Sequence, residues 1–95
     1  MSAYIVVHVN VKDPDKLQEY AGAAADVVAE HGGRFISRGP AEVLAGGHDY
    51  GTLAIIEFPS NDAAKAFYDS PAYQALIPVR EAAIDSVFVL GGDQG

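Results

Sequence analysis

The side chains in this sequence best suited to chemistry on a small organic molecule are His8, Glu57, Arg34, Arg80, Tyr68 and Tyr73. His8 and Glu57 would form an acid–base pair. A carboxylate beside an imidazole raises its pKa and orients it as a base. Each sits in a stretch that alternates as a strand does. Tyr4, Val6, His8 and Asn10 share one face of the first stretch, and Leu53, Ile55 and Glu57 share one face of another. If the two strands run parallel and start level, His8 and Glu57 become near neighbours. The alternative is a half-buried polar pair without a role in chemistry, or a different register.

Arg34 and Arg80 could each hold a carboxylate or an enolate, since a guanidinium presents a fork of N–H donors. Alternation places Arg34 and Arg38 on one face of their stretch, with Phe35 and Ser37 on the other. The alternative for these arginines is a salt bridge with one of the thirteen acidic residues, a common surface feature of small energetic consequence. Tyr68 and Tyr73 flank Ser70-Pro71. They could line a pocket with an apolar ring and a hydroxyl, or simply pack a helix onto a sheet. His31 suits a helix end by its interaction with the dipole, and His48 reads as a solvated loop residue. Three histidines without tight spacing make no metal signature. Gly32-Gly33 and Gly46-Gly47 lack the pattern of a phosphate or dinucleotide loop and read as turns. No Ser-His-Asp arrangement is visible. The sequence therefore implies neither a metal nor a cofactor.

The elements that must position these groups follow from pattern. Ala3–Val11 is β-branched and nearly continuous, as a central strand is. Asp13 caps a helix with Pro14 at its first position. Leu17, Tyr20, Ala21, Ala24, Val27, Val28 and His31 form its apolar stripe, and Gly32-Gly33 stops it. Arg34–Arg38 is a second strand. Ala41–Ala45 carries a little more strand, and residues 46–51 form a polar turn. Leu53–Phe58 is a third strand that Pro59 ends. Ser60 caps a helix over Ala63–Tyr68, Ser70-Pro71 starts a second piece, and Pro78 starts a third. Ser86–Leu90 is the last strand, and Gly91–Gly95 frays.

The order strand, helix, strand, strand, helix, strand predicts an α+β, ferredoxin-like βαββαβ sandwich. A four-stranded antiparallel sheet would carry both helices on one face. The right-handed crossover rule is read as making the first and third strands parallel neighbours. Residues 1–95 read as one domain. A net charge of −7 argues against nucleic acid or an anionic membrane as partner by bulk attraction. The absence of cysteine removes disulfides and thiolate chemistry. The start MSAYIVVHV lacks the basic and long apolar regions of a signal peptide, and no stretch could span a bilayer, so the chain reads as soluble and cytoplasmic.

Three segments carry a resemblance: HGGRFISRG at 31–39, LAIIEFPSNDAAKAFYDSPAYQAL at 53–76, and Arg80 with the closing strand. Their Gly-Gly-Arg-Phe, Glu-Phe-Pro-Ser and Ser-Pro-x-Tyr-Gln elements, taken together, resemble an uncharacterised bacterial family of the dimeric α/β-barrel superfamily. The resemblance spans nearly the whole chain. It implies the ferredoxin-like fold and a homodimer, but no reaction. Relatives in that superfamily include cofactor-free monooxygenases, haem-degrading enzymes, small isomerases and ligand-sensing domains.

Alternation supports the dimer independently. Tyr4, Val6, Leu53 and Ile55, with Ile36 or Phe35 and part of Val87–Leu90, would leave an apolar patch on the helix-free face. Soluble monomers rarely expose such a patch. The sequence thus reads as a small-molecule-binding homodimer. Whether it is a cofactor-independent enzyme, with His8 or Glu57 as acid–base group and Arg34, Tyr68, Tyr73 and Arg80 holding substrate, stays open. The alternative is a non-catalytic ligand-binding or purely structural module.

Overall fold

The computed structural model describes residues 2–92. Its elements are β1 (Ala3–Val11), α1 (Pro14–Glu30), β2 (Arg34–Pro40), β3 (Thr52–Phe58), α2 (Asn61–Asp69), α3 (Pro71–Gln74), α4 (Ile77–Ala83) and β4 (Ile84–Gly92). The helix starts follow local chemistry. Asp13 Oδ1 accepts from the backbone N–H of Asp15 and Lys16, ahead of Pro14. Ser60 Oγ accepts from Ala63 N–H. Ser70 Oγ accepts from Tyr73 N–H and donates to the Phe67 carbonyl, so one side chain both ends α2 and opens α3. α1 stops at Gly32, whose φ of +75° a side chain would disfavour.

The strands form one four-stranded sheet in the order β2-β3-β1-β4, with every neighbouring pair antiparallel. β1 and β3 are neighbours, as expected, but they run antiparallel, which corrects the parallel reading. The crossover rule relates β1 to β2 and β3 to β4. Each of those pairs is parallel but separated by one strand. Because β2 and β3 meet as antiparallel neighbours, β3 must oppose β1. The register sets Tyr4 opposite Glu57 and His8 opposite Leu53, so the expected His8–Glu57 pair does not form.

A second correction comes from β2. A bulge between Phe35 and Ser37 adds an unpaired residue, Ile36. Alternation is reset there. Arg34 pairs with Glu57 on the helix-free face, whereas Arg38 pairs with Ala54 on the helix face. The two arginines therefore lie on opposite faces. Residues 41–51 form a loop with no strand, tied by the Ala41 N–H to the Gly51 carbonyl at 3.0 Å. β4 is longer than expected and includes Gly91 and Gly92; the rest of the expected fraying tail, 93–95, lies outside the described residues.

Ala3, Ile5, Val7 and Val9 of β1 alternate into the core with Ile56 and Phe58 of β3. Tyr20, Ala24, Val27 and Val28 of α1 and Phe67 of α2 close over them. The Phe58, Phe67 and Tyr73 rings pack in series, with centroids 5.2 and 4.7 Å apart. The end of β1 is pinned to α4, because the Lys12 and Asp13 N–H groups both donate to the Ala83 carbonyl. Those two bonds tie down the short helix that carries Arg80.

Candidate functional site

Arg80 is the one charged residue buried among the described residues, at 8% exposure. α4 presents it inward toward the junction of α1, α2, α3 and β4. Its Nη1 donates to the hydroxyls of Tyr68 (3.0 Å) and Tyr73 (3.1 Å). The Tyr73 hydroxyl lies 2.6 Å from that of Tyr20. The guanidinium also stands over the Phe88 ring, 5.0 Å from its centroid, a cation–π contact. Glu81 touches the outer edge of the guanidinium at 3.5 Å and is largely exposed. Arg80 Nε is buried without a hydrogen-bond partner.

The electrostatics follow from this packing. Burial alone would lower the Arg80 pKa, but the bonds to Tyr68 and Tyr73 outweigh it, so the group is held even more firmly charged than a free arginine. Burial pushes the hydroxyls of Tyr20 and Tyr73 above the usual tyrosine range. These tyrosines therefore serve as hydrogen-bonding groups and not as bases. Tyr68 is half-buried, and its oxygen accepts from Arg80. Its own proton remains to be donated, and the bond from a cation polarises that O–H.

Two hollows flank the cluster. A groove of about 360 Å³ between α2 and β4 is lined by Ala64, Lys65, Tyr68, Asp69, Phe88 and Leu90, with Ile5 at its floor. Its volume falls within the range of small-molecule sites. A smaller cavity of about 120 Å³ lies under α1, between Leu17, Tyr20 and Ala21 above and Val9, Ala54 and Phe88 below. Phe88 belongs to both walls, and the chain Tyr20–Tyr73–Arg80–Tyr68 runs behind it from one hollow to the other.

The structure thus brings together Tyr68, Tyr73 and Arg80, the three site residues on the segmented helix. Tyr73 is fully buried, and Tyr68 is the one that reaches the groove. The other three site residues lie elsewhere. Arg34 Nε donates to Glu57 Oε1 at 2.9 Å on the helix-free face, and that bond holds the Glu57 carboxyl below the usual range. His8 lies farther along the same face, 4.9 Å from the His48 ring and 6.2 Å from Tyr50. His48 is an exposed loop residue, as expected, and its ring also stands beside that of His8. Asn10 ties their loop down, donating to the Asp49 carbonyl and accepting from Gly51 N–H. No group of three or more potential metal ligands occurs among the described residues, and no helix among them is long and apolar enough to cross a membrane. Sequence reasoning placed Tyr20 only in an apolar stripe. The available signal was its hydroxyl, which a buried tyrosine normally has to satisfy.

The sheet order and the helices on one face define an α+β protein with a ferredoxin-like fold. Over residues 2–92 the chain matches the domain of unknown function DUF1330, and it belongs to that family. Solved structures share the fold at low identity. A protein of unknown function from Rhodopseudomonas palustris aligns with a TM-score of 0.79 at 18% identity, over 99% of this chain and 83% of that one. A dimeric ferredoxin-like protein of unknown function from Jannaschia sp. CCS1 gives 0.75 at 16% identity, over 98% and 100%. SnoaB, a cofactor-independent oxygenase from Streptomyces nogalater, gives 0.71 at 16% identity, over 99% and 94%. A search of curated proteins found no match.

Proposed function

We propose that the protein is a homodimer that binds a small organic molecule in the groove between α2 and β4. The ligand's electron-rich oxygen is held by the Tyr68 hydroxyl, with the Arg80 charge behind it. The observation that carries this reading is a firmly charged, buried guanidinium whose bond to Tyr68 leaves that hydroxyl proton available at the groove wall. A carbonyl, carboxylate or phenolate oxygen is the complementary group. Leu90 and Phe88 provide the apolar surface for the rest of the molecule. Dimerisation is supported by the apolar helix-free face and by the dimeric ferredoxin-like relatives.

A second reading, turnover without a cofactor, draws on the same pair. A donor backed by a fixed cation stabilises negative charge that develops on an oxygen, as in enolate formation. Asp69 is the carboxylate in the groove wall, placed where it could take the proton. SnoaB, a cofactor-independent oxygenase, shares the fold and supports this reading by analogy of fold alone. Concerted acid–base work by His8 and Glu57 is not part of either reading, since the antiparallel register separates them.

The test is an NMR fragment screen of small ketones, carboxylates and phenols against the intact protein. Binders are expected to shift Ala64, Tyr68 and Leu90, and to weaken about fivefold in Tyr68→Phe, the loss of one hydrogen bond. Binders whose affinity survives that change, with shifts centred away from the groove, would overturn the reading. Oxygen uptake or deuterium exchange of a bound ketone would separate turnover from binding.

A further inference from the structure

The smaller cavity under α1 has a different chemistry. Its wall is built from Val7, Val9, Leu17, Ala21, Ala54 and similar side chains, with Phe35 and Arg38 among the lining residues from β2. Arg38 is exposed and makes no ion pair among the described residues. Its guanidinium carbon instead stands 5.5 Å from the centroid of the Phe35 ring. The β2 bulge is what brings it there. Were Ile36 paired in regular alternation, Arg38 would lie on the helix-free face with Arg34. In a chain with thirteen acidic residues, a surface arginine stacked on an aromatic ring beside an apolar hollow, with no carboxylate partner, is a charge left available to a ligand.

We propose that this cavity is a second binding site, separate from the groove between α2 and β4, for a small amphipathic anion. The ligand would have an apolar body of about ring size and one carboxylate, enolate or phenolate. The hollow of about 120 Å³ is comparable with the apolar cavity of roughly 150 Å³ that takes up benzene in another protein. Because it opens at the protein surface, a ring can enter with its charged end outside. The apolar lining excludes a charge from the interior, where it would be unpaired and costly. The charged end must therefore stay at the mouth, where Arg38 supplies a planar fork for two oxygens. The site lies on the helix side of the sheet, so a dimer formed through the opposite face leaves it open.

The probe is 4-methylbenzoate, with 4-methylbenzamide as its neutral counterpart, titrated into the intact protein and followed by NMR. The expected result is benzoate shifts centred on Leu17, Ala21, Phe35 and Ala54. Affinity should be about fivefold weaker for the amide and for benzoate with Arg38→Gln, the range of one exposed charge pair. Arg34→Gln, which removes the same charge from the other face, should leave benzoate binding unchanged. Both variants replace exposed side chains, so loss of folding does not confuse the result. Shifts centred on Ala64, Tyr68 and Leu90 would assign the anion to the groove and overturn the proposal. So would equal affinity for the amide, insensitivity to Arg38→Gln, or no binding up to the solubility of the probe.

Discussion

Arg80 and its tyrosines behave as one unit because each member satisfies another's buried polar group. Removing the Tyr73 hydroxyl would leave the buried Tyr20 hydroxyl without its partner and take one of the two Nη1 bonds from Arg80, which keeps the one to Tyr68, whereas removing that of Tyr20 leaves Tyr73 still bonded to Arg80. Tyr73→Phe should therefore cost more stability than Tyr20→Phe, roughly 2 against 1 kcal/mol, by urea unfolding at fixed protein concentration. The raised pKa values of Tyr20 and Tyr73 give a pH dependence with a definite sign. The fold favours the protonated phenols. Their contribution is complete below the free tyrosine value of about 10 and is lost as pH rises toward the folded values. In an ultraviolet titration of the five tyrosines, Tyr20 and Tyr73 should stay protonated through the normal range and ionise only as the protein unfolds. Glu57 has the opposite sign. Arg34 depresses its pKa, so the contribution is present above about 4.3 and fades as pH falls through the folded value. In a carbon-13 titration, Arg34→Gln should move the Glu57 pKa up toward the ordinary range. At this scale the sequence exposed Tyr68, Tyr73 and Arg80, because proline breaks and capping serines mark the segment that holds them. It did not place His8 and Glu57, because alternation assigns a face but carries no information on strand direction.

The elements were more legible than their junctions. Caps at Asp13, Ser60 and Ser70 and stops at Gly32 and Pro59 are local chemistry, and the structure realises each of them. The bulge at Ile36 is not local. It follows from how β2 docks on β3, and it moved Arg38 to the other face. Two glycines in neighbouring elements show how tertiary approach decides what a residue does. A Cβ at Gly33 would lie 2.5 Å from Cε1 of Phe58, and that ring is fully buried, so it has little room to yield. A Cβ at Gly22, inside α1, meets nothing within 4 Å. Gly33→Ala should destabilise by about 1–3 kcal/mol through overpacking. Gly22→Ala should stabilise by about 0.5–1 kcal/mol through helix propensity. Urea unfolding of the two variants at equal protein concentration should therefore move the midpoint in opposite directions.

As a whole the molecule is a slab of Cα extents 33 × 32 × 17 Å, a sheet with helices on one face and open on the other. The register makes the open face contiguous. Ile55, Val6 and Val89 stand side by side across three strands, and Leu53, His8 and Val87 form the next row. Val87 and Val89 are 41% and 49% exposed, and Ile36 at the bulge is 45% exposed. The loop at 41–51 covers the end near Asn10 and reaches His8 through His48 and Tyr50. A twofold axis through this face would bring the same valine and isoleucine rows of two chains together, the simplest closed solution for a self-complementary patch. His8, packed among His48 and Tyr50, and the Arg34–Glu57 pair would then lie along the rim of that interface. This is the proposed dimer, and the placement of charge tests it. Val6→Asp or Ile55→Asp would bury a carboxylate without a partner between the sheets. Either should shift the protein to monomer or aggregate in sedimentation equilibrium at micromolar concentration. Gln18→Asp, on the exposed side of α1, adds the same charge and should leave the dimer intact. A wild-type chain that sediments as a single 10 kDa species would show that the open face is not joined to a second copy.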